Sequence, residues 1–166
     1  QEFYSVAGCF GTGTIFIQED PENDVTYTLM PVSQTIIEED TAERVNRIWV
    51  TFKYSAQQAY DLWGEQAGEV VMKAINDDKA EQELECILKV SPRAERDASK
   101  DDDINMPFES VWVEPTQAHE IGVGGFAEFP FAVGRFYKEA GEPMGYSPAM
   151  DVLPDIFLAS TTKRTV

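Results

Sequence analysis

Hydrophobic and polar residues alternate along several stretches of this chain, the pattern of strands that bury one face. Residues 44–54 alternate most regularly, and four side chains form the apolar face: Ile48, Val50, Phe52 and Tyr54. Residues 25–30 alternate in the same way, with Val25, Tyr27 and Leu29 on the apolar side. Further β-prone runs predict strands at residues 13–18, 83–90, 108–113 and 120–123.

Helical spacing predicts two helices within this series of strands. Ser55 followed by Gln58 is a capping-box start, and Ala59, Leu62 and Trp63 then recur at helical intervals. A second helix is predicted over residues 65–75. Strands and helices together indicate an α+β fold, with a mostly antiparallel β-sheet or small barrel and two or three helices.

The last third of the chain predicts a strand, a turn and a helix start. Residues 129–137 form a β-prone apolar run, and Gly141 and Gly145 then break it. Ser147 can cap the free amides of a first helical turn, and Pro148 suits the first helical position. Pro154 falls inside this helix, where it removes a hydrogen bond and favours a kink.

The net charge of −17, from 30 acidic and 13 basic residues, argues against a surface that grips nucleic acid. An acidic wall would repel a duplex and let it slide past, over about 8 Å at physiological salt. Solubility alone is an equally good explanation of most of the charge. No run of about 18 apolar residues is present, so no membrane span is predicted.

No catalytic, cofactor-binding or metal-binding residue is predicted. Residues 94–107 are charged and indicate an exposed, mobile loop, and the EF-hand pattern that Asp101, Asp103 and Asn105 begin lacks its glycine and its glutamate. His119 has no metal-ligating neighbour in sequence and is predicted at the surface or as a cap. Cys9 and Cys86 are predicted as buried, unpaired thiols.

A serine hydrolase is the enzymatic alternative, because residues 145–149 approximate the G-x-S-x-G nucleophile elbow. Pro148 lacks the N–H that would build the oxyanion hole after Ser147, and His119 is the one histidine available as a base. The prediction is therefore that the protein is not an enzyme.

Residues 125–138 and 141–156 closely resemble the signature of podovirus portal proteins, which are also called head-to-tail connectors. The resemblance extends in weaker form over nearly the whole chain, including residues 10–20, which look like the family's first strand after an N-terminal helix. It implies a portal wing-like α+β domain over residues 1–146 and the start of a truncated stem-like helix over residues 147–166. The first residue is Gln1, and the chain stops soon after a helix start, which predicts a piece of a longer polypeptide.

The resemblance implies a structural subunit of a homo-oligomeric ring, expected to be a dodecamer, at one capsid vertex of the virion. Double-stranded DNA would be packaged and ejected through this ring without sequence-specific binding. The parent protein would contact capsid, terminase and tail adaptor proteins, and it would reside in the host cytoplasm during assembly. An acidic protein-binding adaptor or DNA-mimic module remains the alternative outside this family.

By similarity, six residues form the junction that orients the stem-like helix: Arg135, Glu142, Gly145, Tyr146, Ser147 and Pro148. Arg135 is placed in sequence to pair with Glu142 across the turn, and Tyr146 would anchor the turn by packing. The alternative for Arg135 is a solvent-facing position on an edge strand.

Overall fold

The computed structural model describes residues 2–20, 24–100 and 102–164. Within these ranges there are four α-helices, α1 (Glu2–Phe10), α2 (Ala56–Trp63), α3 (Glu69–Asn76) and α4 (Pro148–Arg164). The eight strands are β1 (Thr12–Asp20), β2 (Asp24–Met30), β3 (Thr35–Glu39), β4 (Val45–Ser55), β5 (Glu83–Pro92), β6 (Phe108–Glu114), β7 (His119–Phe126) and β8 (Phe131–Arg135).

The strands form two antiparallel sheets, ordered β2-β1-β8 and β3-β4-β5-β6-β7. The α+β prediction is confirmed, with four helices where two or three were expected. The barrel alternative is wrong, because closure requires the two edge strands of one sheet to pair. In the described part of the chain those edges are β2 and β8 in one sheet and β3 and β7 in the other.

The chain divides into two compact units. Unit 1 comprises residues 1–33, 41–45 and 130–166, and unit 2 comprises residues 34–40 and 46–129. Unit 1 therefore combines segments from early and late in the sequence, and it contains the strand–turn–helix segment that the sequence singles out. The boundary between residues 146 and 147, which divides the expected wing-like domain from the expected stem-like helix, stays a prediction.

Unit 1 is built on the three-stranded sheet. Thr12, Thr14 and Phe16 are buried along β1, and the Phe16 ring stacks on Phe131 of β8 with ring centroids 4.5 Å apart. The sheet register joins these two residues directly across the β1–β8 pair. This pairing places the start of the late segment beside the first strand of the chain.

Unit 2 confirms the most regular alternation in the sequence. Ile48 and Val50 of β4 are fully buried, as the pattern of residues 44–54 predicts. The capping box at α2 is present, because Ser55 Oγ accepts from the Gln58 amide at 3.2 Å and Gln58 Oε1 accepts from the Ser55 amide at 2.9 Å. Six buried residues from α2, α3, β5 and the segment between the two helices form a small core: Ala56, Ala59, Ala67, Val71, Ala74 and Leu84.

Residues 94–100 and 102–104 of the charged loop are exposed, as predicted, and the loop is also fastened to the rest of unit 2. Arg93 donates from Nη2 to the Gly124 carbonyl at 2.7 Å and from Nε to the Met106 carbonyl at 3.2 Å. Its amide donates to the Pro107 carbonyl at 2.8 Å. Arg93, the residue just before the loop, thus joins both ends of the loop to β7. Asp101, the first residue of the EF-hand pattern, lies outside the described ranges.

Candidate functional site: the strand–turn–helix junction

The junction lies in unit 1, where the segment after β8 returns to the turn between α1 and β1. The Phe136 amide donates to the Gly11 carbonyl at 2.8 Å. Tyr137 and Tyr146 then exchange backbone hydrogen bonds of 3.0 and 2.8 Å, which close the intervening residues into a loop. The chain leaves this bridge directly into α4.

Two glycines allow the backbones to approach at this point. A Cβ atom at Gly145 would collide with the Gly11 carbonyl, and one at Gly11 would collide with the carbonyl of Gly145. Gly11 also has a φ of +77°, a left-handed conformation that favours glycine. Gly145 is among the junction residues that the family resemblance implies, whereas Gly11 is not.

Two buried hydroxyl groups fix the approach. Thr12 Oγ1 accepts from the Gly145 amide at 2.6 Å, and Ser147 Oγ donates to the Cys9 carbonyl at 2.8 Å. Both side chains are almost completely excluded from solvent, at 1% and 0% exposure. A buried hydrogen bond with no water competing for its partners is costly to break. The residues just before α4 are therefore tied to the start of β1 and to the end of α1.

Ser147 contributes to the junction differently from the local cap that the sequence predicts. Its hydroxyl donates to a carbonyl far away in sequence, and its own carbonyl accepts from the Met150 amide at 3.0 Å. The helix begins at Pro148, as predicted, and continues through Pro154 to Arg164. Because Pro154 has no N–H, the carbonyl of Met150 loses its normal partner within the helix.

Arg135 lies at the end of β8 and points toward the turn. Its Nη1 donates to the Pro143 carbonyl at 3.1 Å, one residue beyond the exposed Glu142. This bond ties the end of the strand to the turn. The predicted pairing of Arg135 with Glu142 remains a prediction.

Tyr146 links the turn to the helix through a polar contact. Its hydroxyl donates to Asp151 Oδ1 at 2.7 Å, and the side chain is half-buried. The hydrogen bond to Asp151, followed by burial and by the negative charge of that carboxylate, raises the pKa of the Tyr146 phenol. The neutral phenol is thus the form that the junction favours.

An ion pair also connects this region to another segment of unit 1. Lys138 Nζ lies 2.6 Å from Glu43 Oε2, which joins the segment after β8 to residues 41–45. Glu43 has a φ of +58°, so this short connecting segment has an unusual backbone conformation. Nothing in the local sequence pattern around Glu43 indicates this partner, because the two residues are distant along the chain.

The groups required for serine hydrolysis are engaged in structural contacts. The Ser147 hydroxyl is buried and donates to Cys9, as described above. His119 is exposed, as predicted, and its Nε2 lies 3.0 Å from the Gln66 carbonyl oxygen. No group of three His, Cys, Asp or Glu side chains in the described ranges is arranged to hold a metal ion.

The two cysteines are free thiols in different environments. Cys86 is fully buried, and burial, followed by the charge of Glu114, raises the pKa of its thiol to about 11. Cys9 is exposed, so the prediction of burial is wrong for this residue. Its position near the end of α1 turns the side chain outward although its carbonyl accepts from buried Ser147. Among the described helices, none combines the length and apolar character needed to cross a membrane.

The junction is held by buried hydrogen bonds and close backbone contacts. A family model described as bacteriophage head to tail connecting protein matches residues 1–166. The chain belongs to this family, and the resemblance seen in its sequence is confirmed. It is also 30% identical over 156 residues to a probable portal protein of Bordetella phage BPP-1, covering 92% of this chain and 28% of that protein.

Proposed function

We propose that this protein is a structural subunit of a ring at one capsid vertex, joining the phage head to its tail. The match of the whole chain to the connecting-protein family carries this proposal. The similar phage protein is named a probable portal protein, and this chain spans only 28% of its length, so the whole protein's role is inferred from a part.

In this proposal residues 1–146 form a wing-like domain, and α4 begins a stem-like helix. The junction residues Arg135, Glu142, Gly145, Tyr146, Ser147 and Pro148 set the direction in which the helix leaves the wing. Buried bonds from Thr12 and Ser147 support that role, because they connect the residues just before the helix to β1 and α1 rather than to the first turn of the helix. We expect a dodecameric ring with capsid, terminase and tail adaptor proteins as partners of the complete protein.

DNA passes through such a ring without sequence-specific binding. The excess of 30 acidic over 13 basic residues supports this, since counterion release from phosphates requires lysine and arginine. The engaged state of the Ser147 hydroxyl favours a structural role over hydrolysis. The protein would therefore be found at the portal vertex of the virion, and in the host cytoplasm during assembly.

Negative-stain electron microscopy of the full-length protein tests the proposal. Rings with an axial hole are expected, and class averages would give their symmetry. A uniform monomer across salt and protein concentrations would contradict the proposal and favour an acidic adaptor that binds a basic partner. Labelling of Ser147 by a fluorophosphonate would contradict the structural assignment of that residue.

A further inference from the structure

Helix α1 rests on the three-stranded sheet of unit 1 through one aromatic ring. Gly13 of β1 and Gly134 of β8 lie directly opposite each other in the register, so neither strand has a side chain at this point. The Phe3 ring lies over both, because a Cβ atom at Gly13 or Gly134 would meet it at 2.7 or 2.5 Å. We call this pair of glycines the glycine floor. Ala7, one turn further along α1, is buried and shares the helix face that meets the sheet.

The glycine floor determines where α1 lies on the sheet. Its two strands are β1 and β8, so the helix lies above them rather than above β2. Tyr27 of β2 pairs with Ile17, on the side of β1 that also carries Gly13, and it is 68% exposed. The alternation in the sequence predicts that this side of β2 is half-buried, and the position of α1 explains why Tyr27 is not.

The opposite end of α1 holds the residues that precede α4. Three hydrogen bonds from the late segment end on residues 9–12: Ser147 Oγ to the Cys9 carbonyl, the Phe136 amide to the Gly11 carbonyl, and the Gly145 amide to Thr12 Oγ1. The Gly11 amide donates to the Ala7 carbonyl at 2.9 Å, which closes the last turn of α1. Helices α1 and α4 also contact each other directly. The start of α4 is therefore attached to the end of α1.

The lengths of the two helices make α4 sensitive to small movements of α1. Helix α1 has nine residues and is about 13 Å long, so a change of about 2 Å in the height of its first turn tilts it by about 10°. Helix α4 has 17 residues and is about 25 Å long, so the same tilt moves its far end by about 4 Å.

We propose that Phe3 is a positioning residue that sets the direction of α4, acting through α1. The inference rests on the stem role proposed above for α4. The height of the Phe3 ring on the glycine floor fixes the tilt of α1, and the three bonds at residues 9–12 pass that tilt to the residues just before α4. Control of the helix direction thus extends beyond the six junction residues that the resemblance implies.

A ring that only filled space would behave differently. Its removal would lower the stability of unit 1, while the junction bonds alone would hold α4 in place. In a positioning role the response has a sign. Phe3→Ala removes the ring and lets α1 sink toward the sheet, whereas Gly134→Ala adds a methyl group under the ring and lifts it. The two variants should therefore move α4 in opposite directions.

Distances between spin labels in the full-length protein measure the direction of α4. One label is placed on α4 at Ala159→Cys, and the second on the rest of unit 1 at Gln18→Cys, Thr28→Cys or Ser33→Cys in three separate samples. All four positions are exposed. The background has no other reactive cysteine, with Cys9 replaced by serine. Labelled subunits are diluted into unlabelled protein, so that pulsed electron–electron double resonance records distances within one subunit.

We expect Phe3→Ala to shift the mean distance by about 2–3 Å in at least one label pair, since Ala159 lies about 16 Å along α4. Gly134→Ala should shift the same distance with the opposite sign, and Phe3→Ala combined with Gly134→Ala should return it toward the wild-type value. Phe3→Leu keeps part of the ring's bulk and should give a smaller shift of the same sign as Phe3→Ala. It replaces Phe3→Ala in the comparison if that variant does not fold.

Gly8→Ala is the control within α1, because a Cβ atom at Gly8 meets nothing within 4 Å, and it should leave all three distances unchanged. Unmoved mean distances in Phe3→Ala and Gly134→Ala would overturn the proposal. Shifts of the same sign in both variants, or broader distributions with unmoved means, would also overturn it, because they indicate general loosening.

Microscopy of the same samples separates this proposal from the ring function. Rings with unmoved label distances would remove the positioning role of Phe3 and leave the ring function standing. Absence of rings in the wild-type protein would remove the ring function, while the label distances would still decide whether Phe3 controls the direction of α4.

Discussion

Two glycines from opposite parts of the sequence, Gly11 and Gly145, set how closely the start of α4 approaches α1. Neither position has room for a methyl group, and each glycine would meet the backbone of the other. Backbone atoms cannot move aside as the end of a long side chain can. A single added carbon at either position would therefore displace the backbone of both segments.

Gly145→Ala should destabilise the protein by about 2–3 kcal/mol, since overpacking at a backbone contact forces both segments to shift. Gly8→Ala is the matched control, because a Cβ atom at Gly8 in α1 meets nothing within 4 Å. That control should be stabilising by up to ~1 kcal/mol, as alanine replaces glycine in a helix. Urea unfolding monitored by circular dichroism measures both values, and equal midpoints would contradict the prediction.

The pairing of Arg135 with Glu142 can be tested by a double-mutant cycle. We expect Arg135→Ala and Glu142→Ala to couple by about 0.5 kcal/mol in the free energy of unfolding, the value of a partly exposed ion pair. Additive effects would remove the pairing. The Pro143 carbonyl that Arg135 also contacts would then account for its role.

At the scale of single elements, the contact between Tyr146 and Asp151 couples the turn to α4. The phenol keeps its proton to higher pH in the folded protein than in the unfolded chain, because the neutral hydroxyl donates to Asp151. The resulting stabilisation is complete below the ordinary tyrosine pKa of about 10, and it is lost as pH rises through the raised pKa of the folded state.

Asp151→Asn should return the pKa of Tyr146 toward its ordinary value, and Asp155→Asn, one helical turn further on, should leave it raised. NMR titration of the tyrosine ring carbons measures each phenol separately, with Tyr146→Phe identifying the signal. Identical titration of Tyr146 in the wild type and in Asp151→Asn would show that the contact does not control the proton.

Arg93 holds the loop at residues 94–107 to β7. Arg93→Ala should speed amide exchange throughout the loop and destabilise unit 2 by about 1.5–3 kcal/mol, since the side chain is only 9% exposed and its hydrogen bonds are charge-assisted. Exposed Arg96→Ala is the control and should change neither quantity. Unchanged exchange in Arg93→Ala would mean that the loop holds its own conformation.

At the scale of the whole molecule, the two thiols report on folding from separate places. A disulfide-exchange reagent should modify one equivalent rapidly at exposed Cys9. The second equivalent, Cys86, should react only as the protein unfolds, because its thiol is fully buried and its pKa is raised to about 11. Cys9→Ser should remove the fast phase, and a fast phase remaining in that variant would contradict the assignment.

Sequence patterns predicted the elements well where the information is local. The alternation in β4, the capping box of Ser55 and Gln58, and the helix start at Pro148 all follow from nearby residues. The partners of the junction do not, because Thr12 and Gly145 meet only through the pairing of β1 with β8. The exposure of Tyr27 was missed for the same reason, since it depends on where α1 lies.

The interruption of unit 1 by unit 2 has a consequence for the order of folding during synthesis. Most of unit 2 is one continuous stretch, residues 46–129, so its sheet can form while the ribosome is still translating the rest. Strand β1 emerges early but must wait for β8, which lies beyond that entire stretch. During this interval the β1 edge that β8 will occupy is unpaired, which makes it the place where a nascent chain is most open to aggregation or to a chaperone.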